Sequence, residues 1–175
     1  MNNFISSEDS FKIEKAISFL IENYNKSGKN PKPVILHSIR VGMYLLESGY
    51  ETDIVVVGIL HDLIEDSDVT IDDIKNNFSQ EIASWVESVS FKPQINDTVE
   101  QYKEMFARTI LEGRIPVVVK AADILANSLY IHLVTETEKQ KFLIDKIKYF
   151  LDVSQSFSSE PIVRELKNKY EEGRY

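Results

Sequence analysis

The chain of 175 residues contains no cysteine, which excludes disulfide bonds, thiolate nucleophiles and sulfur-rich zinc sites together. Only three histidines are present, so any metal site must combine imidazoles with carboxylate, carbonyl or water oxygens. Acidic residues outnumber basic ones by 28 to 20, and the net charge of −8 argues against broad binding to nucleic acid. A small anionic ligand is still compatible with this charge, because a bound cation can reverse the sign inside one cleft.

Long apolar runs are also missing from the sequence. No stretch approaches the ~20 residues needed to span a bilayer. The first residues, MNNFISSEDSF, lack the basic start and apolar core of a secretory signal. We therefore expect a cytoplasmic protein that does not bind membranes. The length and the ordinary composition indicate a single domain over residues 1–175, whereas the oligomeric state is left open.

The apolar residues that are present recur mostly at helical spacing. After a first amphipathic helix, the breakers in KSGKNPKP indicate a loop, and a second helix is predicted from near Pro33 to Gly49. Thr52 or Asp53 is the predicted cap of a third helix, DIVVVGILHDLIED. Its three valines would also suit a buried strand, but the length of the apolar segment favours a helix.

Further helix signals follow along the chain. Thr70 with Asp73 predicts a capping box, and Ser79 with Ile82 marks another helix start. The remaining segments repeat the amphipathic pattern without internal repeats or linkers. The sequence therefore predicts an all-α bundle of roughly eight helices.

The six residues HDLIED, at positions 61–66, place one imidazole and three carboxylates directly after a buried-looking apolar run. Carboxylates near a helix C-terminus face the negative end of the helix dipole, at a cost of about 0.3–1 kcal/mol each. A divalent cation would resolve this conflict. His37 and Asp123 also sit in apolar segments, PVILHS and VVVKAAD, and with His61 and Asp62 they make a mixed nitrogen and oxygen set. Such a set suits manganese, iron or zinc better than calcium.

These residues resemble the ligand order of the HD superfamily of metal-dependent phosphohydrolases, which is His, then His-Asp, then a distant Asp. Within that superfamily, LHDLIEDSDVT is similar to the LHDVVEDT-like segment of the Rel/Spo-type alarmone hydrolases. The later segment KAADILAN is similar to their KLADRLHN element. The resemblance extends from about Lys26 to Asn127 and implies an all-α HD-domain helical bundle.

The resemblance also implies a role for each matching position. Glu65 and Asp66 would position and deprotonate the attacking water, while Lys26 and Asn127 would contact the substrate. The implied reaction is the loss of pyrophosphate from the 3′ position of a small-molecule nucleotide of the (p)ppGpp type. One Mn²⁺ ion, or another transition metal, would be held by four residues: His37, His61, Asp62 and Asp123. With only three histidines in the chain, a mononuclear site is favoured.

Three positions depart from the family pattern. Lys26 stands where the family has a nucleotide-facing arginine, Ser38 where it has proline, and Ile124 where it has a basic residue. Lysine cannot make the planar bidentate contacts of arginine, so the departures affect the substrate more than the metal set. Two alternatives therefore stay open: another HD-type nucleotide phosphatase, and a non-catalytic domain that senses a nucleotide.

Other polar side chains are expected to lie at the surface rather than to contact phosphate. His132 is read as structural or exposed. The same surface interpretation is given to five residues: Lys92, Lys103, Arg114, Lys120 and Tyr130.

Overall fold

The computed structural model describes residues 6–28 and 33–175, and within these ranges the chain forms α-helices and short 3-10 turns without any strand. The prediction of an all-α fold is confirmed. None of the described helices is both long enough and apolar enough to cross a membrane. The helices are α1 (Ser7–Ser27), α2 (Val34–Glu47), α3 (Thr52–Leu60), α4 (Leu63–Asp66), α5 (Ile71–Asn77), α6 (Gln80–Val89), α7 (Thr98–Glu112), α8 (Arg114–Ser128), α9 (Thr137–Val153) and α10 (Pro161–Glu171).

Side-chain caps set several of the predicted helix boundaries. The Thr70 hydroxyl accepts from the Asp73 N–H, and the Asp73 carboxylate accepts from the Thr70 N–H, so the capping box is confirmed. The predicted cap of α3 at Thr52 or Asp53 is wrong, because Glu51 holds the N-cap position. The Thr52 hydroxyl instead donates to the Asp9 carboxylate of α1, 2.6 Å away.

The third predicted helix is divided in the structure. It includes the three valines as a helix, as predicted, and every residue from Ile54 to Leu60 is buried. However, α3 ends at Leu60, and His61 and Asp62 separate it from the single turn of α4. Both residues keep right-handed backbone angles, with φ of −56° and −97°. This division is one reason why ten helices are found in the described ranges instead of about eight.

Helix α8 is the centre of the fold, because most of its residues are buried and it packs against α2, α3, α6, α7 and α10. Two glycines let α2 and α3 approach closely. A Cβ on Gly58 would lie 2.5 Å from Leu45 Cδ1, and one on Gly42 would lie 2.6 Å from Ile59 Cγ1. The close approach brings the ends of α2 and α3, which carry His37 and His61, to the same side of α8.

Candidate active site

Four of the predicted site residues converge from three parts of the chain. His37 comes from α2, His61 and Asp62 from the break after α3, and Asp123 from α8. The two Nε2 atoms of His37 and His61 are 3.3 Å apart. Asp123 Oδ1 is 3.2 Å from the His37 Nε2, and Asp62 Oδ1 is 3.1 Å from the His61 Nε2. The structure thus brings together two imidazole nitrogens and two carboxylates from distant positions in the sequence.

A backbone contact fixes the orientation of the buried His61 ring. Its Nδ1–H donates to the Gly58 carbonyl oxygen over 2.8 Å, which directs Nε2 and its lone pair towards the cluster. At these distances the imidazole lone pairs and the carboxylate charges repel one another unless a proton or a cation lies between them. The donor set of two nitrogens and two carboxylates fits a divalent transition-metal ion.

The pKa values of the side chains in the cluster also indicate that positive charge is favoured at this position. Burial opposes the charged imidazole, but the adjacent Asp62 and Asp123 outweigh it and raise the pKa of His61 to about 10. Burial would likewise raise the pKa of Asp123, but Lys120 and the two imidazoles outweigh it and hold that pKa well below its usual range. A proton on His61 therefore supplies positive charge between the carboxylates, as a bound metal ion would.

Asp123 divides its two oxygens between the cluster and the protein interior. Oδ1 faces His37 and accepts from Asn127 Nδ2 over 2.6 Å, whereas Oδ2 accepts from Lys120 Nζ over 2.9 Å. Lys120 is only 4% exposed, so the prediction that it is a surface charge is wrong. Its position three residues before Asp123 on a buried helix places the ammonium against that carboxylate instead.

A cavity of about 410 Å³ opens beside the cluster and is lined by Glu65, Asp66 and Asn127, among others. The Glu65 Oε1 accepts from the Phe91 N–H over 2.7 Å, which fixes the carboxylate against the chain after α6. Burial, together with the nearby charge of Asp62, raises the pKa of Glu65 to about 7. Glu65 can therefore gain or lose a proton near neutral pH at the wall of the cavity.

Among the predicted site residues, Lys26 lies away from both the His–Asp cluster and this cavity. It is exposed in the last turn of α1 and lines a separate cavity with Asn23 and Asp68. The following part of the family's first element, at residues 29–32, lies outside the described residues. Ile124 is buried among apolar residues of α8 rather than in the cavity wall.

Most of the residues interpreted as surface residues are exposed as predicted: Lys92, Lys103, Arg114, Tyr130 and His132. Tyr130 also lines the rim of the cavity, where its ring lies 5.5 Å from the Arg40 guanidinium carbon. Sequence reasoning missed Lys146 of α9, which lines the same cavity. The segment KQKFLIDKIKYF contains several lysines, and nothing local distinguishes the one that faces the site.

The helical fold and the buried His–Asp cluster define an all-α protein with a candidate mononuclear metal centre. The sequence matches the HD domain family over residues 16–143, and the chain belongs to this family. The predicted resemblance to the HD superfamily is therefore confirmed, as is the all-α HD architecture.

Two curated relatives have related descriptions. Guanosine-3′,5′-bis(diphosphate) 3′-pyrophosphohydrolase of Aquifex aeolicus is 25% identical over 160 residues, which cover 89% of this chain and 23% of the relative. A probable enzyme of the same description from Synechocystis is 33% identical over 105 residues, covering 57% of this chain and 14% of the relative. The chain thus spans less than a quarter of the length of these relatives.

A solved structure shows the same fold over nearly the whole chain. It is described as a metazoan ortholog of SpoT that hydrolyses ppGpp, and it matches with a TM-score of 0.80 and 16% identity over 98% of both chains. A second structure, lmo0812 from Listeria monocytogenes, has a TM-score of 0.65 and 20% identity over 77% of this chain and 90% of its own.

Proposed function

We propose that this chain is a metal-dependent phosphohydrolase that removes pyrophosphate from the 3′ position of a nucleotide of the (p)ppGpp type. The observation that carries the proposal is the convergence of two imidazole nitrogens and two carboxylates beside a cavity that Glu65 and Asp66 also line. The cavity volume of about 410 Å³ suits a small-molecule ligand. The descriptions of the curated relatives support the choice of nucleotide. A cytoplasmic location, expected from the sequence, belongs to the same proposal.

The donor set supports a choice of metal ligands within this proposal. One divalent ion, for which we propose Mn²⁺, would be held by four residues: His37, His61, Asp62 and Asp123. Such an ion supplies Lewis acidity, which polarises a phosphoryl oxygen and lowers the pKa of a water molecule. Because Lys120 Nζ already donates to Asp123 Oδ2, Asp123 offers mainly its Oδ1 to an ion.

We propose roles for the remaining site residues from their contacts and their places in the cavity wall. Glu65 accepts a proton from the attacking water, since its pKa of about 7 lets it act as a base near neutral pH. Asp66 lines the same cavity and holds that water in place. Asn127 orients Asp123 and presents its side chain to the substrate. A substrate contact by Lys26 stays a prediction from the sequence.

The test is hydrolysis of guanosine 3′,5′-bis(diphosphate) in the presence of Mn²⁺. We expect wild-type protein to release pyrophosphate and Glu65→Gln to lower kcat by about 10²–10⁴-fold, the contribution typical of a general base. Glu65→Gln should still bind Mn²⁺. The control is Asp72→Asn, which changes an exposed carboxylate in the first turn of α5 and should retain full activity.

Other outcomes would support the alternatives. Release of phosphate only from a nucleoside monophosphate would indicate an HD-type nucleotide phosphatase. Wild-type protein that binds Mn²⁺ and the nucleotide without turnover would indicate a sensing domain, and turnover that survives Glu65→Gln would contradict the assigned base.

A further inference from the structure

Lys146 of α9 is a half-buried cation at the wall of the cavity. Its Nζ lies 5.4 Å from the ring centroid of Phe91, 5.9 Å from that of Tyr102 and 5.8 Å from that of Phe106. Across residues 6–28 and 33–175, no acidic side chain lies within ion-pair distance of its ammonium. Aromatic faces attract a cation, but they compensate only part of the cost of removing it from water.

A second lysine makes this position less favourable in the free protein. Lys120 lies 6.0 Å from the same Phe91 ring, and both lysines line the cavity. Burial, and then the positive charge of Lys120, lower the pKa of Lys146, and the carboxylates of Asp123, Glu65 and Asp62 offset only part of this effect. Lys120 is paired with Asp123 over 2.9 Å, whereas Lys146 has no such partner in the part of the chain that the structure describes. An anion that enters the cavity can therefore be stabilised by the charge of Lys146, which no carboxylate of the described residues pairs at ion-pair distance.

The position of Lys146 indicates which part of a ligand it meets. The cluster that would bind the scissile phosphate is formed by α2, α3 and α8, whereas Lys146 comes from α9 and lies against the rings of Phe91, Tyr102 and Phe106. Because the two positions come from different helices, we expect Lys146 to meet a phosphate group next to the one being cleaved.

We propose that Lys146 determines substrate specificity by binding a second, uncleaved phosphate group. The inference rests on the proposed function and deepens it, because it selects substrates with more than one phosphate group. The second phosphate has two possible sources in a bis(diphosphate): the 5′ diphosphate and the outer phosphate of the 3′ diphosphate.

The test compares Lys146→Met, which keeps an apolar stem against the three rings, with Lys146→Arg, which restores the charge. Lys148→Met is the matched control, since Lys148 lies on the same helix, is 62% exposed and is 3.9 Å from Asp152. For wild-type protein and each variant, KM and kcat are measured with guanosine 3′,5′-bis(diphosphate). We expect Lys146→Met to raise KM by about 10- to 100-fold with little change in kcat, since a charge-assisted hydrogen bond is lost. Lys146→Arg should recover most of the affinity, and Lys148→Met should match wild type.

Binding measurements identify the phosphate group and do not depend on turnover. Calorimetry is performed on Mn²⁺-loaded protein that carries Glu65→Gln, with three ligands: guanosine 3′,5′-bis(diphosphate), guanosine 3′-diphosphate and guanosine 3′-monophosphate. Weaker binding of only the first ligand in Lys146→Met assigns the 5′ phosphates, and weaker binding of the first two assigns the outer 3′ phosphate. An equal change for all three ligands, or none, overturns the proposal. If wild-type protein binds these ligands without hydrolysing them, the proposed function fails while the role of Lys146 is still decided.

Discussion

The two walls of the cavity differ in how their charges are satisfied. On the wall formed by α2, α3 and α8, His61 Nδ1 donates to a carbonyl oxygen and Asp123 binds both Lys120 and Asn127. On the wall formed by α9, Lys146 rests against aromatic rings without an anionic partner among the described residues. The first wall is organised for one fixed cation, and the second leaves a charge available for a ligand that comes and goes. Substitutions on the first wall should therefore lower activity and stability, whereas a substitution of Lys146 should mainly lower the affinity for the ligand.

The largest effect is expected for Asp123→Asn, which removes a ligand and also the anion beside Lys120. Loss of the ion's contribution, several kcal/mol, corresponds to a decrease in kcat of about 10³-fold or more. The buried Lys120 ammonium would lose its partner, at a cost of about 3–5 kcal/mol in the free energy of unfolding. Hydrolysis assays and urea denaturation measure the two effects.

A double variant separates these two losses. Lys120→Met combined with Asp123→Asn removes the unpaired charge, so stability should return towards that of wild type while activity stays lost. If the single variant unfolds at the same urea concentration as wild type, the assigned role of the Lys120–Asp123 pair is wrong. Lys146→Met, on the wall formed by α9, should change affinity without this loss of stability.

A smaller effect is expected for Gly58→Ala, which tests how the first wall is positioned. The added methyl group would lie 2.5 Å from Leu45 Cδ1, so α2 and α3 must separate or Leu45 must change its rotamer. Overpacking of this kind costs about 1–3 kcal/mol in the free energy of unfolding. Since α2 and α3 carry His37 and His61, the affinity for Mn²⁺ should fall as well. Met43→Ala, on the exposed face of α2, is the control and should leave Mn²⁺ affinity unchanged.

The same difference between the walls explains what the sequence could predict. His61, Asp62 and Glu65 lie within five consecutive residues after an apolar run, and His37 and Asp123 sit in similar apolar segments, so local pattern marks all five. Lys146 depends on how α9 packs against α7, which no local pattern specifies. Its helix is amphipathic with several lysines, and the residue that faces the cavity is determined only by tertiary contacts.

Two other differences have local causes. Lys120 lies between VVV and AAD, and these apolar neighbours already indicate burial, although a lysine is more often exposed. The third helix was predicted to continue to Asp66, because its composition is helical throughout. The break at His61 and Asp62 arises where both side chains turn towards the cluster, and nothing in the helical propensity of the segment indicates it.

The smallest expected effect is the release of protons when Mn²⁺ binds, and it concerns His61 on the wall formed by α2, α3 and α8. Because the folded-state pKa of His61 is raised from 6.5 to about 10, its imidazolium stabilises the ion-free protein fully below pH 6.5 and less as the pH rises through about 10. An ion needs the neutral Nε2, so Mn²⁺ binding near pH 7.5 should release about one proton. Calorimetry in two buffers of different ionisation enthalpy measures this number, and affinity should rise by up to about tenfold per pH unit between roughly pH 7 and 9. An affinity for Mn²⁺ that does not change between pH 7 and 9 would show that His61 is already neutral before the ion binds, and would contradict the raised pKa on which this prediction rests.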